Sequence, residues 1–287
     1  MIDFDARLYK LVDAAFQEDV GNGDHSTLCC IPADAKGRAV LKIKQDGILA
    51  GIDVAEKIFK QQKPGAAFTR YKNDGDEMMY GETAFEVETG VHSILQCERL
   101  VLNIMQRMSG IATLTKEYTR KLKGYKTQLL DTRKTTPGFR LLEKEAVRIG
   151  GGVNHRFGLY DMIMLKDNHI DYCGGIEQAI EKAYDYVQQY QPHLEIEVET
   201  RSLDDVKKVL MVGKGKVHRV MLDNYKAADV KAAVDLIGND FETEASGGIT
   251  LDTIQQYAET GVDFVSVGGL IHQAKSVDLS LKAVISK

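Results

Sequence analysis

No apolar run in this chain approaches the roughly 18 residues that a membrane span needs, so no membrane segment is expected. Cysteine is scarce: Cys29, Cys30, Cys97 and Cys173 include one adjacent pair and no C-x-x-C. Adjacent residues rarely close a disulfide and zinc-ligand spacing is missing, so all four are expected to be reduced and structural, with no disulfide. His25 close to Cys29 and Cys30 falls short of a metal site for the same reason. A net charge of −5 comes without a basic tail or an aromatic-basic stripe, which argues against nucleic acid as a partner. The opening, MIDFDARLYKLVD, carries acids in its first turns and lacks an uninterrupted apolar core, so no signal peptide is read there and a cytoplasmic location is the expectation.

What is present is an ordinary enzyme composition, 44% apolar and 28% charged over 287 residues. That length suits two domains and a sizeable core. From residue 127 onward, short apolar or β-branched runs alternate with helical patterns. Strands are expected near TQLLD (127–131), MIMLK (162–166), EIEVE (195–199), HRVML (218–222), FETEA (241–245) and DFVSV (263–267). The last four start 23, 23 and 22 residues apart, a spacing that fits a strand plus a crossover helix and hence parallel βα units. In IEQAIEKAYDYVQQY, Ile176, Ala179, Ile180, Ala183 and Val187 form one buried stripe. Ser202 and Thr250 are expected helix N-caps. A full eight-stranded barrel takes at least about 200 residues, more than this part of the chain offers, so the fold class is α/β with an incomplete, open βα barrel of six or seven parallel strands.

The first part has a different texture. A helix over Phe4 to Gln17 precedes strands at GRAVLKI (37–43), AAFTRY (66–71) and TAFEVET (83–89), with turns at Asp46-Gly47 and Asp74-Gly75. A long helix from about His92 to Lys121 follows, with a bend expected at Ser109-Gly110 and methionines serving as core filler. The expected division is an N-terminal α/β sandwich domain over 1–113, a barrel over 114–273, and an amphipathic tail, 274–287, packing back on the sandwich.

Drawing these strands gathers the polar residues at one rim. Asp131, Thr132 and Arg133 follow the first strand, Lys166 ends the second, Glu199 ends the third, and Asp223 follows the fourth. Ser246, Gly247 and Gly248 follow the fifth, and Gly268 and Gly269 the sixth. Active sites of βα barrels lie at the C-terminal strand ends, with phosphate after the last strands. The glycines permit close backbone approach, and helix N-termini following them would offer N–H groups to a phosphate. Glu199 and Asp223 are hard oxygen donors suited to ribose hydroxyls or Mg²⁺; an ion pair to Lys166 or Lys134 is the competing reading. Glu195, Glu197 and Glu199 share one strand face, and spacing does not decide which of them reaches a substrate.

One segment, DTRKTTPGFRLLEKEAVRIGGGVNHRFGLYDMIMLKDNHI (131–170), concentrates positive charge in an acidic chain. Over 131–169, seven cations (Arg133, Lys134, Arg140, Lys144, Arg148, Arg156 and Lys166) face five acids. Arg133, Lys134, Arg156 and Lys166 adjoin turn residues or end an apolar run, as a site for a small polyanion would require. Arg140, Lys144 and Arg148 sit in a helical pattern and are candidates for supporting or interface roles, and His169 is taken as structural.

TRKTTPG (132–138), GGGVNHRFGL (150–159), LKDNHI (165–170), EVE (197–199), LDN (222–224), SGGI (246–249) and VGGL (267–270), with QED (17–19) and ERLVLN (98–103), closely resemble the quinolinate phosphoribosyltransferase family across nearly the whole chain. The resemblance implies transfer of phosphoribosyl from phosphoribosyl pyrophosphate to quinolinate, with Mg²⁺ and decarboxylation, in NAD biosynthesis. Arg133, His155, Arg156 and Lys166 would line the quinolinate site, and Lys134 would lie near pyrophosphate. Thr132, Ser246, Gly247, Gly248, Val267, Gly268 and Gly269 complete the substrate set. Lys134, Lys166, Glu199 and Asp223 are the catalytic candidates; the last two also face metal, directly or through water or substrate. Arg99 matches an arginine lent to the neighbouring subunit's site, which implies a homodimer or a larger homo-oligomer. Neither a P-loop nor the acidic-pair TGxT-type loop of the other common phosphoribosyltransferase fold is present.

Three rival readings follow from the same residues. Lys166 at a strand end could serve a Schiff-base aldolase, a transferase of this fold could use a different base, or the barrel could bind a phosphorylated metabolite without chemistry.

Overall fold

The computed structural model describes residues 3–284. In chain order it opens with α1 (Phe4–Asp19), α2 (His25–Cys30), β1 (Lys36–Ile43) and β2 (Gly47–Ile48). It continues through α3 (Ile52–Gln62), β3 (Ala67–Arg70), β4 (Glu77–Met78), β5 (Thr83–Gly90) and α4 (Val91–Lys121). Then come β6 (Gln128–Leu130), α5 (Arg140–Ile149), β7 (Ile163–Leu165), α6 (Asp167–Cys173) and α7 (Ile176–Tyr190). The remainder is β8 (Ile196–Thr200), α8 (Leu203–Val212), β9 (Arg219–Asp223), α9 (Ala227–Ile237), β10 (Glu242–Ser246), α10 (Ile254–Ala258), β11 (Phe264–Ser266), α11 (Gly269–His272) and β12 (Leu279–Val284). Among the described residues, no helix is long and apolar enough to cross a membrane.

Two compact units result. The first takes residues up to Lys116, 135–151 and the chain from Leu270; the second takes 117–134 and 152–269. The line between them therefore differs from a single cut at 113/114, because residues 114–116, the α5 segment 135–151 and residues 270–273 group with the first unit.

The first unit is built on an antiparallel sheet ordered β12-β1-β5-β3. Alternation along β1 buries Ala39, Leu41 and Ile43, and the pairing sets Leu41 opposite Phe85 and Ala39 opposite Val87, so one face is continuous and apolar. Phe68 stacks on Phe85 at 4.4 Å, and Phe59 of α3 meets Phe85 edge-on at 6.3 Å. The tail's β12 extends this sheet, with Leu281 opposite Leu41 and Leu279 opposite Ile43; residues 285–287 lie outside the described part. α4 runs without a break through Ser109 and Gly110, where a bend is expected from sequence. Gly110 serves close packing, since a Cβ there would lie 2.0 Å from the Lys275 carbonyl oxygen. Ser109 Oγ accepts from Ala50 N and donates to Ala50 O, which ties α4 to the loop before α3.

The second unit is a parallel six-stranded sheet ordered β6-β11-β10-β9-β8-β7. Among the described residues it does not close, because β7 has no pairing with β6 and only a one-residue parallel bridge, Leu130 to Val153, flanks the free side of β6. The expected open barrel thus has six strands. Val198, Val220, Leu222, Ala245 and Val265 are all completely buried. These alternate with Glu197, Glu199, Arg219, Met221, Asp223, Glu244, Ser246 and Ser266, which cross-strand register places side by side on the other face. α7 buries the predicted stripe from Ile176 to Val187. Ser202 caps α8 by accepting from Asp205 N at 3.2 Å. Thr250 does not cap a helix in that way, as α10 begins only at Ile254.

Candidate active site

Strand register levels the rim. Leu165 pairs with Val198, so Lys166 comes level with Glu199; Asp223 pairs with Ser246, and Ser246 with Ser266. Lys166 Nζ lies 3.3 Å from Glu199 Oε2, with Glu199 7% exposed and the lysine side chain 47% exposed. The lysine therefore keeps a watery side and an anionic partner, unlike the desolvated amine a Schiff-base enzyme requires. Its backbone N–H donates to His169 Nδ1 at 3.0 Å, so His169 secures the start of α6.

Asp223 and Ser246 end adjacent strands, and the loops beyond them interlock. Asn224 holds a positive φ of 59°, its N–H donates to Ser246 O at 2.8 Å, and its side-chain amide donates to Asp223 Oδ2 at 2.6 Å. Gly247 fits because a Cβ would stand 2.2 Å from Asn224 Oδ1, and its φ of +93° is one that side chains disfavour. A helix N-terminus directly after Ser246-Gly247-Gly248 is absent: turns over 251–253 intervene and α10 has five residues. After the other segment a helix does begin directly, α11 at Gly269, and it is only four residues long. Val267 N donates to Leu130 O at 3.0 Å, which seats Val267 and Gly268 beside the end of β6.

Beyond β6, Asp131 is fully buried and its carboxylate accepts from His155 N at 2.9 Å, pinning the 153–157 loop to the strand end. Thr132 Oγ1 accepts from Lys134 N at 3.1 Å, shaping the turn that carries Arg133. Arg133 is half-buried with its Nε shielded from solvent and given no hydrogen-bond partner. Arg156 donates to Met162 O at 3.2 Å. Burial first, and then the Arg133 charge, push the Arg156 guanidinium below its usual range. Two cations set near each other in a partly desolvated place disfavour each other's charge. Lys134 is exposed beside them.

The His155 ring points inward. It is 8% exposed, with Nε2 3.0 Å from Glu197 Oε2 and 3.2 Å from Glu244 Oε2, and both carboxylates are wholly buried. Arg219 joins them through Glu244 at 3.3 Å and Glu242 at 2.8 Å, with its guanidinium 4.1 Å from the Phe264 ring centre. Burial opposes charge on the ring, whereas the Glu197 and Glu244 carboxylates favour a proton on the Nε2 that faces them; the N–H that Arg156 donates to Nδ1 keeps the other ring nitrogen unprotonated. Burial and then the Glu244 charge raise Glu197 to about 7. Sequence reasoning did not single out Glu244 or Arg219. The alternating charges of FETEA and HRVML inside otherwise apolar strands were the available signal.

Of the remaining candidates, Arg99 is exposed on α4 in the first unit. Lys144 and Glu143, on α5 of that same unit, are buried. Glu143 accepts from Arg107 at 2.9 Å and from Thr136 N at 2.8 Å. All four cysteines are free.

An open βα barrel whose strand ends carry cations, two carboxylates and glycine turns belongs to the class of barrel enzymes that bind phosphorylated, polyanionic substrates at that rim. Comparison narrows the class. The description "Quinolinate phosphoribosyl transferase, C-terminal domain" matches residues 111–282, and its N-terminal counterpart matches 24–109. The mitochondrial "Quinolinate phosphoribosyltransferase [decarboxylating] 2" of Nicotiana glauca is 43% identical over 96% of this chain and 82% of its own length. The "Probable nicotinate-nucleotide pyrophosphorylase [carboxylating]" of Bacillus subtilis is 41% identical over 98% of this chain and 94% of its own. The crystal structure of NadC from Streptococcus pyogenes superposes with a TM-score of 0.89 at 37% identity, covering 97% of each chain. This chain belongs to the quinolinate phosphoribosyltransferase family.

Proposed function

We infer that this chain converts quinolinate and phosphoribosyl pyrophosphate into nicotinate mononucleotide, pyrophosphate and CO₂, a step of NAD biosynthesis. The observation that carries the assignment to this rim is the pairing of Arg133 with Arg156. Two guanidiniums, half-buried and mutually repelling, fit a ligand that brings two adjacent carboxylates. Lys166 adds a third cation at the end of β7, beside Glu199.

The pyridine nitrogen of quinolinate displaces pyrophosphate at the anomeric carbon, and no protein nucleophile is needed. Negative charge grows on the departing oxygens, where Lys134 and the turn amides of 246–248 and 267–269 stabilise it. Glu199 and Asp223 hold the ribose hydroxyls. After transfer the ring nitrogen is cationic, so the adjacent carboxylate leaves as CO₂ because the carbanion left behind lies next to positive charge.

Mg²⁺ fits the donors available. Glu199 and Asp223 offer hard carboxylate oxygens on neighbouring strands at the rim, of the kind that takes Mg²⁺ with phosphate and water. When bound, it would offset charge on pyrophosphate. Arg99 completes the site of a neighbouring subunit in a homodimer, and its exposure on α4 leaves it available for that role. Residence in the cytoplasm is part of the same proposal.

The test is to incubate the protein with quinolinate, phosphoribosyl pyrophosphate and Mg²⁺ and to measure CO₂ and pyrophosphate together. Equal molar release of both is expected. Pyrophosphate without CO₂, obtained only with another base, would reassign the substrate.

A further inference from the structure

The buried group formed by His155, Glu197, Glu244 and Arg219 has no direct part in the chemistry just described, yet it adjoins the substrate cations through one residue. A metal is a poor occupant. His155 Nδ1 accepts from Arg156 N at 2.6 Å, so the ring proton of a neutral imidazole stands on Nε2, the very atom that faces the two carboxylates. Nε2 is then a donor and not a ligand, and Arg219 already supplies the positive charge that the acids require.

The same contacts describe a support. Asp131 fixes the backbone of His155 from one side by accepting its N–H, and Glu197 and Glu244 fix its ring from inside the barrel. The ring in turn accepts the N–H of Arg156, so the carboxylates determine how the next residue of the loop between α5 and β7 is set. We propose that Glu197 and Glu244 are positioning residues, which hold the His155 ring inside the barrel and thereby aim Arg156 at the dicarboxylate substrate. His155 then serves as the connecting rod rather than as a ligand of quinolinate. Strand geometry suits this role: the two acids come from β8 and β10, two strands apart in the sheet, so the ring is held from two directions. Arg219, from β9 between them, keeps both acids from being buried beside each other without a counter-charge.

The inference rests on the functional reading above, and the two fail separately. Loss of CO₂ and pyrophosphate release by the unaltered protein would remove that reading, whereas the following results bear on the positioning role alone. In Glu244→Leu, the KM for quinolinate is expected to rise about tenfold or more, with the KM for phosphoribosyl pyrophosphate within about twofold. Glu244→Gln, whose amide oxygen still accepts from Nε2–H, is expected to recover most of the loss. Both KM values rising together, or neither changing in folded protein, would overturn the proposal. Should the leucine variant fail to fold, the unaltered protein decides. With ¹⁵N-labelled histidine, the His155 signals, assigned by their loss in His155→Gln, should report a protonated Nε2 and an accepting Nδ1. They should stay unmoved when quinolinate alone is added. Large shifts on quinolinate addition would mean that the ring itself grips the substrate, and the proposal would fall.

Discussion

Arg133 and Arg156 are two guanidiniums close enough for the charge of one to bear on the other. A guanidinium with a buried Nε that lacks a hydrogen-bond partner, beside a second guanidinium, is disfavoured in the unliganded protein, and a bound anion would offset that cost. Removing one such cation opposite a buried carboxylate costs about 2 to 5 kcal/mol. Arg133→Ala and Lys166→Ala should therefore lower kcat/KM for quinolinate by tens to thousands-fold, as read in steady-state kinetics; wild-type values for either would reject its role. These cations were legible in the sequence because turn residues and strand ends surround them. The inward turn of His155 was not, since spacing along one loop says nothing of Glu244, which lies 89 positions away and meets it only through the barrel interior.

Elements explain why the rim holds its shape, and why some of that was hidden. The periodicity of α7 and the repeated βα spacing made the six parallel strands readable, because each depends on local pattern. The lone pairing of Leu130 with Val153 and the short α10 depend on tertiary contacts and were missed. One such contact is Glu143 of α5. It accepts from Arg107 of α4 and from both the amide and the hydroxyl of Thr136, while Arg107 also donates to the carbonyls of Ile271 and Ala274. Three stretches of the first unit thus meet at one fully buried carboxylate. Glu143→Ala would strand Arg107 and Thr136 and should cost about 3 to 5 kcal/mol in urea unfolding; a loss below about 1 kcal/mol would show that the pair is replaceable. A second contact, Asp263, ties the start of β11 to Lys126 at 2.8 Å and to the amide and hydroxyl of Thr243 at 2.9 and 2.7 Å. Burial opposes the charge, but these bonds hold its carboxyl below the usual aspartate value. A lowered folded pKa means that the contribution is complete above the unfolded value, about 3.9, and drains away as pH falls through the folded one. Asp263→Asn should accordingly lose stability at pH 7 and show a flatter acid limb below about pH 4, measured as Tm against pH. Parallel curves for the two proteins would contradict it.

At the scale of the whole molecule, the sequence revealed the open barrel and the sandwich because both keep their alternation patterns, while the line between units escaped it because α5 leaves the barrel sequence to join the first unit. What a single chain leaves open is the source of the last cation. If Arg99 serves the neighbour's site, each site is built from two chains, and that arrangement makes a distinctive prediction. Arg99→Ala lacks the lent arginine, and Lys166→Ala lacks the resident lysine, so each alone should be nearly inactive. In a mixed dimer, however, the Lys166 of the Arg99→Ala chain meets the intact Arg99 of its partner, which makes one complete site, while the other site carries both defects. Random re-assortment of equal amounts gives about half mixed dimers, and hence about one quarter of the wild-type activity. Unfolding the two variants together and refolding them, then assaying pyrophosphate release, reads this directly. Activity that stays at the level of the separate variants, with mixed dimers demonstrated by mass, would place Arg99 outside the neighbour's site.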